Sequence, residues 1–287
     1  MIKNAQLIFF FFILYVHSYV TPQRIYILIH GTWAQRSSWH MPGGEFFDIL
    51  EQHINKKNDK IISFLWSGKL GHKARLHGAE ALVLLMKSYP TDTEFILIGH
   101  SHGANVGFIV SQLLGKDSYN NHKIKHFVAL GVPVDQNRYN PDMNVISYLY
   151  NLFSFNDLIQ TIFGMAKREF LRHERIANLS ITIEGNFPGH RYLIDKHIAS
   201  WIPSLDQYIN QDIFDLPATI YFMGNSKPFY VRDTKRNIML EEDERINQML
   251  LAAIEPFEDD GKPDQESRLL ADMNQALQTI WQVQQLH

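Results

Sequence analysis

Ile96-Leu97-Ile98-Gly99-His100-Ser101-His102-Gly103-Ala104-Asn105 is the stretch on which the reading of this chain turns. An apolar run ends in Gly-x-Ser-x-Gly, and a helix-compatible segment, Asn105–Leu114, follows. That order describes a strand, a sharp turn carrying an exposed serine, and a helix. Gly99 and Gly103 have no Cβ, so strand and helix can approach closely around the turn. The Ser101 hydroxyl would then project above a sheet, beside a helix N-terminus with its partial positive charge. A glycine-rich strand-to-helix turn without chemistry is the alternative.

Outward from this turn the same grammar repeats. Arg24–Ile29 is β-branched and apolar and runs into His30-Gly31-Thr32-Trp33. Phe46–Ile54 has helical spacing, and Ile61–Trp66 reads as a strand. Ala74–Tyr89 is helical with Leu76, Ala79, Leu82, Val83 and Met86 on one face, and Pro90 ends it. Further strands are expected at Ile124–Leu130, Val145–Tyr150 and Leu179–Glu184. Helices are expected from Leu158 to about His173 and over Tyr192–Ile209. Buried runs rather than strict alternation predict an α/β fold: a mostly parallel central sheet with helices on both faces. After Gln211 the pattern changes. Ala218–Phe222 and Phe229–Arg232 read as a hairpin, and Leu240–Ile254 and Glu266–Leu286 as helices, joined through the acidic loop around Glu258-Asp259-Asp260. The expected organisation is a leader over residues 1–20, a catalytic domain over 21–210, and an accessory extension over 211–287 packed on it.

The composition narrows the function. With 287 residues, 45% hydrophobic and 20% charged, the chain can build one sizeable core. A net charge of -3 offers no basic footprint, so no nucleic-acid partner is expected. The absence of cysteine excludes disulfides and thiol catalysis. The 14 histidines include no His-Glu-x-x-His pattern, so no metal site is expected. Met1-Ile2-Lys3-Asn4, the apolar Leu7–Val16 and the small residue Ser18 read as a secretory signal peptide with cleavage near Ser18. Export, to the medium or periplasm, is the expectation; an uncleaved membrane anchor or a buried first strand is the alternative. The apolar run is shorter than the roughly 20 residues of a membrane span.

With the serine turn in this setting, the chain resembles the α/β-hydrolase superfamily, in particular its lipase- and esterase-like members, over roughly Arg24 to Ile209. The resemblance implies a Ser-His-Asp triad in the chain order serine, acid, histidine. Ser101 would be the nucleophile. The His30-Gly31-Thr32 turn matches the position that supplies one oxyanion-hole amide, placing it at Thr32, and the residue after the nucleophile, His102, supplies the other. Asp157, in Ser154-Phe155-Asn156-Asp157, matches the loop that carries the acid; helix capping by Asn156 or Asp157 is the alternative, and Asp135 and Asp142 are competitors. His190, in Gly189-His190 after Leu179–Glu184, matches the histidine, which the superfamily places after the last strand of its core sheet. His197 is its rival.

His100 and His102 flank the serine, but neighbours in a tight turn point away from its hydroxyl, so both read as packing or pocket-lining residues. Trp33, with Trp39 and Trp66, is read as lining an apolar acyl pocket, core packing being the alternative. Arg75 and Glu80 read as a surface pair. Only Val134–Asn144 separates two expected strands, too short a connection for a helical lid.

The expectation is therefore a serine hydrolase that cleaves a carboxylic ester through an acyl-enzyme and needs no cofactor. Its partner would be a small-molecule or lipid ester. An acyltransferase on the same triad and a non-catalytic binding protein on a hydrolase fold are the alternatives.

Overall fold

Residues 23–117, 121–157, 159, 167–211, 213–214, 217–224 and 226–232 are described in a computed structural model of the chain. The expected leader over residues 1–20 and the helices expected within residues 240–286 lie outside them. Among the described residues there are eight strands: β1 (Arg24–Ile29), β2 (Lys60–Phe64), β3 (Glu94–His100), β4 (Ile124–Leu130), β5 (Ile146–Phe153), β6 (Ile176–Ile183), β7 (Ala218–Phe222) and β8 (Phe229–Arg232). They form one sheet in the order β2-β1-β3-β4-β5-β6-β7-β8. All pairings are parallel except β7 with β8. The α-helices among the described residues include α1 (Glu45–His53), α2 (His72–Lys87), α3 (His102–Lys116) and α4 (Lys196–Trp201).

Alternating strand residues divide the core in two. Ile25, Ile27 and Ile29 of β1 and Phe95 and Leu97 of β3 pack with Leu82 and Met86 of α2 and with Val106, Phe108 and Val110 of α3. Tyr26, Leu28, Ile96 and Ile98 face the other way, onto Phe46 and Leu50 of α1 and Ile198 and Trp201 of α4. Both faces are thus covered, which is why the strands read as continuous apolar runs. The α/β architecture is the one expected.

Several boundaries move. β6 begins at Ile176, not Leu179, because Asn178 hides the strand. Its buried amide bonds Asn151 of β5 at 2.9 Å and the backbone of Phe170 on both sides, so a polar residue sits in the sheet without cost to satisfaction. Residues 167–173, read as the end of a helix, are irregular. The run Tyr192–Ile209 breaks into a 3-10 turn at His190–Leu193, α4, and a second 3-10 turn at Ile202–Tyr208 with Pro203 in its first turn. Asp195 caps α4 by accepting from His197 N at 2.8 Å, which stops the first turn from running into it. The expected hairpin forms, and β7 joins it to β6 as a continuation of the main sheet.

This strand order fixes where a site can be. From β1 the chain moves outward to β2, then returns to β3 on the other side of β1. Crossovers leaving in opposite directions open a crevice at the carboxyl ends of β1 and β3. Ile29 pairs with Gly99 across that point, so the turn after β1 and the turn after β3 lie side by side.

Candidate active site

Ser101 stands at the tip of the β3–α3 turn with φ 54° and ψ −134°. A serine held at positive φ is strained, at a cost of about 1–3 kcal/mol, and such strain concentrates at functional turns. The turn is held by the Ser101 N–H donating to Leu130 O at 2.8 Å and by α3 closing against β1. A Cβ on Gly103 would lie 2.3 Å from Ile29 O, so only glycine allows this approach. Gly31 lies beside the serine: its missing Cβ would be 3.1 Å from Ser101 Cβ.

His190 and Asp157 meet at the same end of the sheet. His190 Nδ1 donates to Asp157 Oδ2 at 2.7 Å. The Asp157 side chain is fully buried and that of His190 is 13% exposed. With Nδ1 donating, the neutral ring presents Nε2 as its acceptor. Gly131, after β4, adjoins the pair: a Cβ there would fall 2.9 Å from Asp157 Oδ2 and 3.2 Å from His190 Nδ1. The loop carrying His190 follows β6, yet β6 is not the last strand of the sheet, since β7 and β8 lie beyond it.

His197 and Asp142 are engaged elsewhere. His197 shares a 2.6 Å bond with Asp195 and lies 3.5 Å from Glu184. Asp142 Oδ1 accepts from Asn144 N at 2.9 Å, and Asp135 O accepts from Tyr139 N at 2.7 Å, both within the connection before β5.

Both flanking histidines are buried and neutral. Burial, reinforced by the nearby His190, pushes His100 down to about 3. Its Nε2 donates to His190 O at 3.1 Å and its ring lies 4.6 Å from the His190 ring, so it braces the histidine loop. Burial also holds His102 well below its ordinary value, with Arg75 and His190 adding to the effect. His102 Nδ1 shares a 3.1 Å hydrogen bond with Thr32 Oγ1, which sets the two expected oxyanion residues side by side. Among the described residues the Thr32 N–H donates to no protein acceptor. His102 is the first residue of α3.

The His30-Gly31-Thr32 turn has a support that its sequence does not announce. His30 is fully buried and stacked on Trp66 at 5.6 Å. Trp66 Nε1 donates to His30 O at 2.7 Å, Trp66 N to His30 Nε2 at 3.3 Å, and His30 Nδ1 to Gly31 O at 2.8 Å. Burial holds His30 below its ordinary value, consistent with a neutral ring that both donates and accepts. Trp66 and Trp39 are therefore core residues rather than pocket lining, Trp39 packing edge-on against Phe46 at 5.3 Å. Trp33 alone of the three is exposed, at 40%, with φ 56° and its N–H donating to Gly68 O at 2.8 Å. Arg75 is not at the surface either: it is buried, with its Nε donating to Tyr139 Oη at 2.9 Å. The connection Gly131–Val145 contains turns and no helix. Among the described residues no group of three or more acidic or histidine side chains could hold a metal ion.

No protein-family model matches the chain, and no curated protein matches it. Among solved structures it is similar to a cutinase-like protein from Cryptococcus sp., 19% identical, covering 39% of this chain and 54% of that one, with a TM-score of 0.31. It is similar to a Xanthomonas campestris protein assigned to the alpha/beta hydrolase superfamily, 15% identical, over 64% of this chain and 98% of that one, with a TM-score of 0.41. An arylesterase is 15% identical over 80% of this chain and 77% of that one, with a TM-score of 0.33. The chain thus spans about half the length of the cutinase-like protein. A hydrolase from Agrobacterium vitis is 12% identical over 65% of this chain and 88% of that one, with a TM-score of 0.44.

Proposed function

We propose that this protein is a serine hydrolase that cleaves carboxylic esters. The observation that carries the reading is the Asp157–His190 hydrogen bond, formed at the same strand ends as the strained turn of Ser101. Ser101 Oγ carries no hydrogen bond among the described residues, and its link to His190 Nε2 is part of the proposal. In this reaction Ser101 Oγ attacks the acyl carbon while His190 Nε2 takes its proton. Asp157 keeps the ring in that tautomer and stabilises the imidazolium. The Thr32 and His102 amides hold the tetrahedral oxyanion. The alcohol leaves with the proton from His190. Water, deprotonated by His190, then attacks the acyl-enzyme and releases the carboxylic acid and the serine. Trp33, exposed beside the oxyanion turn, contributes to the acyl site.

Labelling with a fluorophosphonate tests the reading. Wild-type protein reacts at Ser101 and Ser101→Ala does not. Labelling that persists in a folded Ser101→Ala protein places the nucleophile elsewhere.

A further inference from the structure

The first turn of α2 carries His72, Lys73 and Arg75 and no acidic residue. That is the reverse of what a helix N-terminus favours, since its partial positive charge attracts anions and repels cations. Arg75 is 6% exposed, and its guanidinium lies over the Tyr139 ring, 5.2 Å from the centroid. One of its five N–H donors reaches Tyr139 Oη, while the buried Nη1 has no partner. His72 Nδ1 lies 3.3 Å from the same hydroxyl, so Tyr139 Oη joins the Arg75 guanidinium to the first residue of the helix. Arg138, exposed and next to Tyr139 in the chain, adds its field: burial, Arg138 and Arg75 together hold His72 below its ordinary value. None of His72, Lys73, Arg75 and Arg138 pairs with a carboxylate among the described residues.

A buried cation without a counter-ion is unfavourable in the free protein, and an anion that reaches it relieves that cost. The position relates it to the serine. The loop leading to α2 is tied to the oxyanion turn through the Trp33 N–H and Gly68 O at 2.8 Å, and α2 packs along α3, which begins at His102. We propose that the N-terminal turn of α2, with Arg75 as its floor and His72 and Arg138 at its rim, binds an oxyanion, a carboxylate or phosphate, carried by the substrate of Ser101. The inference rests on the hydrolase reading and narrows it to esters bearing a negative charge. Guanidinium groups suit this task, because their planar donors match both anions bidentately.

Two measurements on the full chain separate this subsite from the reaction itself. Calorimetric titration of Ser101→Ala protein with succinate and with inorganic phosphate reads binding without turnover. One of the two binds, the tighter one naming the group, and adding Arg75→Lys or Arg138→Gln weakens it tenfold or more. In otherwise wild-type protein, the ratio of kcat/KM for p-nitrophenyl hydrogen succinate to that for p-nitrophenyl butyrate falls tenfold in Arg138→Gln, through KM. Arg138→Gln, at the surface, carries the test if Arg75→Lys fails to fold. Anion binding without turnover of either ester supports the subsite and overturns the hydrolase reading. Turnover with no anion binding, and a ratio that Arg138→Gln and His72→Gln leave unaltered, overturns the subsite and makes Arg75 only a brace for Tyr139.

Discussion

A serine at φ 54° is a local fault that folding must compensate, and this chain surrounds it with compensations. The Leu130 carbonyl accepts its N–H, Gly103 lets α3 close on β1, and His100 braces the loop that carries His190. If the strain serves chemistry, Ser101→Ala abolishes ester hydrolysis, with a loss of about 10⁴–10⁶ in rate and an unchanged circular dichroism spectrum. A folded Ser101→Ala enzyme with most of its activity would refute that role. Asp157→Asn and His190→Ala each lose activity by a factor on the order of 10³ or more, and the double variant is little worse than the weaker single one, because a triad acts as a unit. His197→Ala, whose ring is bound by Asp195, retains turnover. Steady-state kinetics on these four proteins decides between His190 and His197.

At the scale of elements, placement depends on close contact between the turn helices and the sheet. Gly103 has backbone, not a flexible side chain, where its Cβ would go. Gly103→Ala therefore forces α3 off β1 and costs about 1–3 kcal/mol in urea unfolding, with loss of activity because the serine moves with the helix. Leu82 on α2 is fully buried against the sheet, away from the serine turn. Leu82→Ala costs about 2–5 kcal/mol of stability through the cavity it leaves, yet at low temperature the folded fraction keeps its kcat. A Gly103→Ala protein as stable and active as wild type would show that the helix can dock without the glycine.

For the whole molecule, the histidines set the response to acid. His30, His40, His100, His102 and His126 are buried, and burial holds each of them below its ordinary value. Below a pH of about 6.5 the unfolded chain takes up protons that the native state refuses, so stability falls as the pH falls. Each such histidine contributes a slope of about 1.4 kcal/mol per pH unit once its unfolded form is protonated. Asp206 acts lower on the scale. Its hydrogen bond to His126, with Arg24 and Lys125 nearby, holds its carboxyl well below the usual range, so the stability it adds above the ordinary carboxylate value is lost at stronger acid. Thermal melts between pH 7.5 and pH 5 should show a steep drop in Tm. A flat Tm over that window would mean that the native core accepts the protons.

The apolar runs, their separation by helical spacing and the Gly-x-Ser-x-Gly turn were legible in the residues, because a parallel sheet covered on both faces demands continuous burial and a strand-to-helix elbow demands glycine. The order of the chain singles out Asp157 and His190 only by resemblance, and their 2.7 Å bond is made by tertiary placement of loops 33 residues apart. The start of β6 was hidden because the partners that satisfy Asn178 come from β5 and from the segment before β6. For Trp39 and Trp66 the sequence leaves pocket lining and core packing open, because an indole near a strand end looks the same in sequence whether it faces solvent or a histidine; packing against Phe46 and His30 decides for the core. Arg75 looked like half of a surface pair, since helical spacing reports the neighbours along a helix and not what crosses it. That its guanidinium lies buried over Tyr139, with Nε bonded to the Tyr139 hydroxyl and Nη1 left without a partner, is a long-range contact that only the folded chain creates.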